Sequence, residues 1–357
     1  MSDVTADVLD VWRSGAVAAV ATVVRASGRT PCPPGTAMAL LPDGSVSGSV
    51  SGGCVEADVL ACLQEVLDGA AASVRRYGLA EDVLAVGLPC GGTIDVLVRA
   101  VSREHMPHLE TVVDDRTADR PVAVATVVAH PDGALLGSSV VVRPTELLGS
   151  LGSAELDRAV GDHAHRLLDS GHSTTVDLDD AVSVFVDVHP PRPRMLVYGA
   201  AAVAAAVTRQ AALLGFRVTV CDHRAEFATR RRFPEADEVV VAIPADHLAA
   251  EIDADGVDRR TVVCSLTHDV RTDIDLLEVA LRADLGYVGA IGSRRVHDDR
   301  VRRLRARGIT PARMAGLRSP IGLDIGAQTP AEIAVAVAAE ITAARQAASG
   351  LPLSHSA

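Results

Sequence analysis

Residues 194–222 read RMLVYGAAAVAAAVTRQAALLGFRVTVCD. Two short apolar runs, RMLVYG at 194–199 and RVTVCD at 217–222, flank an alanine-rich stretch of helical character and make a β-α-β unit with it. The alternation continues through EVVVAI at 238–243, TVVCSL at 261–266 and GYVGAIGS at 286–293, with helical segments between them. Strands that are apolar along their whole length and alternate with helices predict a doubly wound parallel sheet of Rossmann-like topology. TPAE at 329–332 is a capping box with proline at the first helical position, so a last helix opens there and is expected to run to about Ala348. The domain is placed at 192–348, with the proline-rich HPPRPR (189–194) as its linker and 349–357 as a flexible tail.

Toward the N-terminus, residues 1–189 carry a weak internal repeat. AVAAVATVV at 16–24 returns as PVAVATVV at 121–128, and each is followed by a loop and a Pro-Asp-Gly turn, Pro42–Gly44 and Pro131–Gly133. GSVSGGCVEADVLACLQEVLDGA is echoed by GSLGSAELDRAVGDHAHRLLDSG, and GGTIDVLVRAV by AVSVFVDVHP. Two copies of a strand-turn-strand-helix-strand unit predict one α/β domain built from two related half-repeats. Only the first copy holds Gly-Gly-Cys and Cys-Gly-Gly, whereas a purely structural turn would be expected in both.

With 357 residues the chain has room for two domains, each with its own core. Apolar residues make up 48%, yet no uncharged apolar stretch reaches the ~20 residues of a membrane span, and no signal-like segment opens the chain. A cytoplasmic location is expected. The net charge is −12, every Lys/Arg position is arginine, and only 2% of residues are aromatic, which argues against a general nucleic-acid binder. The six cysteines contain no Cys-x-x-Cys pair, which speaks against a disulfide framework and against structural zinc. His163 and His165 alternate on a predicted helix and point in different directions, so they make no metal pair.

In SVSGGCVE (49–56) the glycines allow a turn of successive backbone N–H groups, and a helix expected from about Cys54 to Leu67 aims its positive end at the same place. Ser51, Gly52, Gly53 and Cys54 are therefore a candidate anion-receiving nest beside a thiol that a helix N-terminus makes easier to ionise, as a nucleophile or a soft metal ligand. The bland alternative for Cys54 is a small buried residue under a turn. Glu56 is read as a carboxylate that complements the helix dipole. Cys90, Gly91 and Gly92 stand where a loop enters TIDVLV and again join a thiol to flexible backbone. Cys32, in RTPCPPG, is read as idle, and Cys62, Cys221 and Cys264 as core.

In the second domain the first β-α turn is GAAAVA: Gly199 is in place, but Ala201 stands where a G-x-G-x-x-G fingerprint needs its middle glycine. Asp222 ends the second strand, where an acid would meet a ribose hydroxyl. Rossmann-like topology is thus expected without tight NAD(P) binding. SRRVHDDRVRRLRARG carries seven arginines between Arg294 and Arg307. Arg294 and Arg295 follow a strand end, where ligands of such sheets sit, and are candidate phosphate contacts. The other five are read as a solvated helix face.

Taken in order, ASGRTPCPPGTAMALLPDGSVSGSVSGGCVEADVL, LPCGGTIDVLV, LVYGAAAVA, THD (267–269), YVGAIGSRR and SPIGLDIGAQTPAEIAVAVAAEI resemble the XdhC/CoxI family, accessory factors for molybdenum hydroxylases such as xanthine dehydrogenase and carbon monoxide dehydrogenase. The resemblance spans Ala26 to Ile341. It implies an accessory factor rather than an enzyme with its own turnover. Such a factor binds the molybdenum cofactor (molybdopterin or its cytidine dinucleotide form), supports exchange of a terminal oxo ligand for sulfido with sulfur from a cysteine desulfurase, and delivers the cofactor to an apo-hydroxylase. Cys54 and Cys90 stand at the positions of the family's cysteines, which implies molybdenum contacts there and makes Cys54 the candidate sulfur relay. Two departures are visible: the family's GAGHVG-like turn is GAAAVA here, and Cys32 stands where arginine is frequent. A homodimer is expected. Two other readings stay open. One is an NAD(P)-dependent oxidoreductase with a cysteine redox pair; the other is a thiol-disulfide switch, which needs the Cα atoms of Cys54 and Cys90 within about 7 Å.

Overall fold

In the computed structural model, which describes residues 4–30, 32–78, 91–267 and 269–355, helix α1 (Thr5–Ser14) leads into strands β1 (Ala18–Ser27), β2 (Ala37–Leu40) and β3 (Val46–Gly48). Helix α2 (Glu56–Leu67) and strands β4 (Ser73–Tyr77) and β5 (Thr93–Val101) follow. The succession then repeats as α3 (Leu109–Thr117), β6 (Val122–Ala129), β7 (Ser139–Arg143), β8 (Glu146–Leu148), α4 (Ala154–Ser170), β9 (Thr174–Asp177) and β10 (Ser183–His189). Sheet order repeats too, β3-β2-β1-β5-β4 in one sheet and β8-β7-β6-β10-β9 in the other. The half-repeat is thus longer than the sequence echo: it takes in a leading helix and a strand after the second helix, neither of which carries a matching motif.

The two sheets lie between two helices. Helix α2 packs Val59, Leu63 and Val66 on Ala19, Ala21, Val23, Ile94 and Val96. Helix α4 packs Val160, Ala164 and Leu168 on Ala123, Ala125, Val127, Val184 and Val186. The other sheet faces share one interior, with Val20, Ala37, Ala39 and Val101 meeting Val122, Val124 and Val141, closed by Val8, Leu9 and Trp12 of α1 and by Leu109 and Val112 of α3. Alternate residues of a strand point to opposite faces, and both faces of β1 and β6 are covered, so AVAAVATVV has no polar alternation. Arg99 and Asp187 hold matching places, opposite Val20 and Val124, and both are buried. Arg99 Nη1 donates to the Gly137 carbonyl (2.7 Å) and to Ser139 Oγ (3.2 Å), tying the first half to the second. Burial pushes this guanidinium down to about 10, against the pull of Asp187.

The chain divides into units Met1–Pro191 and Arg192–Ala357. The second contains β11 (Arg194–Tyr198), α5 (Ala202–Leu213), β12 (Arg217–Asp222), β13 (Glu238–Val241), α6 (Pro244–Asp253), β14 (Val262–Ser265), α7 (Val270–Arg282), β15 (Tyr287–Ala290), α8 (Arg294–Ala306), α9 (Pro311–Met314), β16 (Leu317–Arg318) and α10 (Pro330–Arg345). Its sheet is parallel, in the order β13-β12-β11-β14-β15-β16. That is the Rossmann order, reversing direction between β11 and β14. Helices α5 and α10 cover one face through Ala204, Val207, Val337 and Ile341. Leu248, Ile274, Leu277 and Leu304 of α6, α7 and α8 cover the other. The capping box at Thr329 and Glu332 is formed. Among the described residues no helix is long and apolar enough to cross a membrane.

Candidate functional site

The connection from β3 to α2 is built around one carboxylate. Glu56 Oε1 accepts from Ser49 Oγ (2.6 Å) and the Ser51 N–H (2.9 Å). Its Oε2 accepts from Ser51 Oγ (2.6 Å) and from the N–H groups of Gly53 (2.8 Å) and Val55 (3.1 Å). The remaining N–H groups of the turn are also taken, Gly52 by Ser49 Oγ (2.9 Å) and Cys54 by Ser51 Oγ (3.0 Å). The expected anion nest therefore exists, but the protein fills it from within. Burial alone would raise the Glu56 pKa; the hydrogen bonds from Ser49, Ser51 and the backbone outweigh it and hold the carboxyl at about 2.

This arrangement fixes what the loop displays. Helix α2 starts at Glu56, two positions after Cys54, and its N-cap Val55 has no capping side chain. Gly52 (φ 74°) and Gly53 (φ 117°) take the left-handed backbone that glycine tolerates, and a Cβ on either would meet nothing within 4 Å. Ser51 is buried beneath the turn, and Cys54 is exposed. The buried-core alternative for Cys54 is thereby set aside. Glu56 locks the loop rather than merely answering the helix dipole. Sequence reasoning missed this role, although the signal was present: Glu56 aligns with Asp157 in the second half-repeat, where Asp157 accepts from Ser150 Oγ (2.7 Å) and the Leu151 N–H (2.6 Å).

Two further segments reach the same end of the first sheet. Ser27 of β1 pairs with Thr93 of β5, and the chain just beyond Ser27 crosses the chain just before Thr93 at close range. A Cβ on Gly92 would stand 2.3 Å from the Arg29 carbonyl oxygen and 2.7 Å from Thr30 Cγ2, so this crossing admits only glycine. Gly91 has φ 78° and open space around it. Cys90 lies outside the described residues. Cys32 is half-buried, and burial, then the charge of Glu56, pushes its thiol pKa up. It therefore sits within electrostatic reach of the Glu56 loop. Cys62, Cys221 and Cys264 are buried, Cys62 on α2 and the other two in strands. Burial drives Cys221 and Cys264 up to about 12.

In the second unit, Gly199 (φ 107°) runs against the Leu266–Thr267 peptide, where a Cβ would come within 2.9 Å. Both carboxylate oxygens of Asp222 are engaged: Oδ2 accepts from the Ala200 N–H (2.9 Å) and Arg224 Nη2 (2.8 Å), and Oδ1 from Arg224 N (2.9 Å) and Nε (2.9 Å). A ribose diol would have to displace Arg224. Arg294 and Arg295 are exposed in the first turn of α8, behind Ser293, whose Oγ accepts from the Val296 N–H (3.3 Å). The solvated-face reading of the later arginines fails at Arg300. Its side chain is only 3% exposed; Nε meets Asp273 Oδ2 (2.5 Å), Nη1 donates to Ser319 Oγ (3.0 Å) and Nη2 to the Ile291 carbonyl. Arg300 shares the inner face of α8 with Leu304, one turn on, and is held there because the buried guanidinium is paired and hydrogen-bonded.

The XdhC and CoxI family profile matches residues 11–78 and 116–179, one segment in each half of the first unit, and the XdhC Rossmann domain profile matches residues 195–341. A Bacillus subtilis protein, named as a probable xanthine dehydrogenase component, is 30% identical over 332 residues, covering 92% of this chain and 93% of that one. The chain belongs to the XdhC and CoxI family. Another relative, from Escherichia coli and named molybdenum cofactor insertion chaperone PaoD, is 26% identical over 337 residues, 94% of this chain and 86% of its own. The XdhC fold is also that of the crystal structure described as a xanthine dehydrogenase from Bacillus halodurans, with a TM-score of 0.74 and 24% identity over 99% of this chain and 98% of that chain.

Proposed function

We propose that this XdhC-family chain carries the molybdenum cofactor as cargo, supports its sulfuration and hands it to an apo molybdenum hydroxylase of xanthine dehydrogenase or carbon monoxide dehydrogenase type. The observation that supports this best is the exposed Cys54 on a locked Gly-Gly turn, present in one half-repeat and absent from the other, in a chain related over nearly its whole length to a molybdenum cofactor insertion chaperone. A thiolate suits a soft, sulfur-ligated metal. The open space over Gly52 and Gly53 admits a bulky ligand beside that thiol. Cys90 is proposed as the second thiol, since the Gly91–Gly92 segment that follows it reaches the same sheet end. The cargo's phosphate is met elsewhere, because the N–H groups of the turn are spent on Glu56, Ser49 and Ser51. The protein turns over nothing by itself: sulfur comes from a cysteine desulfurase, Cys54 is the candidate relay, and the cofactor carries or lacks a cytidine nucleotide according to the hydroxylase served. A homodimer and a cytoplasmic setting belong to the same proposal.

The Rossmann strand order is the one observation that favours a nicotinamide-dependent enzyme instead. Ala201 and the engaged Asp222 count against it. The test of the main reading is anaerobic purification from cells that make the cofactor, followed by molybdenum analysis and a fluorescent pterin assay. Near-stoichiometric molybdenum and pterin are expected. Their absence, while a known carrier prepared alongside is loaded, would remove the proposal, and saturable NAD(P) binding that responds to Asp222→Asn would install the alternative.

A further inference from the structure

The two half-repeats solve the same local problem differently. In the second, Ser153 caps α4 through its side chain, accepting from the Leu156 N–H (3.2 Å), and Asp157 holds only Ser150 and Leu151. In the first, the matching place of Ser153 is Gly52, no side chain caps α2, and Glu56 alone gathers two hydroxyls and three backbone N–H groups. The longer carboxylate has replaced the cap. This frees both residues before Cys54 to be glycines with positive φ, which swing the thiol outward instead of under the turn.

We propose that Glu56 is the positioning residue of the Cys54 site: an internal anion that occupies the nest, holds the Ser51–Val55 backbone in one conformation and so sets the place of the thiol without touching the cargo. Its role in loading rests on the cofactor-carrier reading given above; its hold on the loop does not.

Hydrogen exchange of the full chain, resolved over residues 48–60, separates the two parts. In Glu56→Ala the amides of Ser51 and Gly53 are expected to exchange about tenfold faster or more, since each loses a bond to a charged acceptor, and Val55 less so, because its N–H keeps Ser51 Oγ (3.1 Å). Added sodium formate is expected to restore their protection in Glu56→Ala and to leave the wild type unchanged, because the vacated nest takes an exogenous carboxylate. Glu56→Asp keeps the charge but is one methylene shorter, and Asp157 in its own loop reaches only Ser150 and Leu151; it should give protection between the alanine variant and the wild type, and provides the folded comparison if the alanine variant is unstable. On co-expression with the cofactor pathway, Glu56→Ala should lose molybdenum and pterin with Cys54 still present, and Glu56→Asp should retain them in part, in step with its amide protection. Unchanged exchange in Glu56→Ala overturns the proposal, and so does faster exchange with wild-type loading. Should Cys54→Ser itself load normally, the carrier site is misplaced, and the amide protection still reads the hold of Glu56 on the loop.

Discussion

In the first half of the N-terminal unit, Gly48–Glu56 passes from strand to helix through three left-handed glycines, Gly48, Gly52 and Gly53, and displays a thiol; in the second, Gly149–Asp157 makes the same passage through two, Gly149 and Gly152, and a capping serine, and displays Glu155. Sheet order, the two flanking helices and the carboxylate at the end of the loop are common to both. The shared parts are what the fold requires, and the differences mark where one copy has been given something else to do. Buried charge follows the same rule: Arg99 and Asp187 hold equivalent places with opposite sign.

The first prediction concerns the glycines that open the two loops. A Cβ at Gly48 would lie 2.3 Å from the Ala37 carbonyl oxygen and 2.5 Å from Val4 Cγ1, whereas at Gly149 the nearest atom, the Ser139 carbonyl oxygen, is 3.5 Å away. Gly48→Ala adds a backbone clash to its left-handed φ and is expected to cost about 4 kcal/mol, against about 1 kcal/mol for Gly149→Ala, by urea denaturation. Equal losses would mean that the two turns are interchangeable.

A smaller difference is expected at Asp115. Its side chain is 1% exposed and meets Arg120 Nε (2.7 Å) and Arg143 Nε (2.6 Å). Asp10, on the leading helix of the first half, is exposed. Asp115→Ala should cost about 2 kcal/mol, and Asp10→Ala less than about 0.5 kcal/mol. The arginines hold the Asp115 carboxyl below the usual range against the opposing effect of its burial. Its contribution is therefore complete above the ordinary carboxylate pKa and is lost as pH falls through the lower, folded value.

The mildest effect is one of pH. Glu56 titrates at about 2 in the folded chain instead of 4.5, so the loop lock is at full strength above 4.5 and gives way as pH falls toward 2. Carboxyl-detected NMR titration should place the Glu56 midpoint far below the ordinary glutamate range. A midpoint near 4.5 would mean that the five hydrogen bonds of the lock are not kept in solution.

The parallel sheet was legible because each of its strands is a short apolar run set between helices, and the capping box at Thr329 marked the last helix. The half-repeat was legible from VATVV and from the Gly-Ser loops. Its leading helices were not, since α1 and α3 share a buried stripe but no motif. In the β3–α2 loop, glycine and cysteine stand out by type, and Cys54, proposed above as the site, is exposed. Glu56 was underread because an acid in a first helical turn has an ordinary explanation, and only its alignment with Asp157 pointed to a lock. Arg300 was misread for a related reason: a run of arginines looks solvated, and one member turns inward only because Asp273, on another helix, pairs with it.

The difference between the halves is tested most directly by loading three chains in parallel under anaerobic co-expression: wild type, Cys54→Ser, and Glu155→Ser at the matching place in the second half. The wild type and Glu155→Ser are predicted to carry molybdenum and pterin in equal, near-stoichiometric amounts, and Cys54→Ser to carry neither while keeping the wild-type fold by circular dichroism. Equal loading of all three would contradict the assignment of the cofactor site to the first half-repeat.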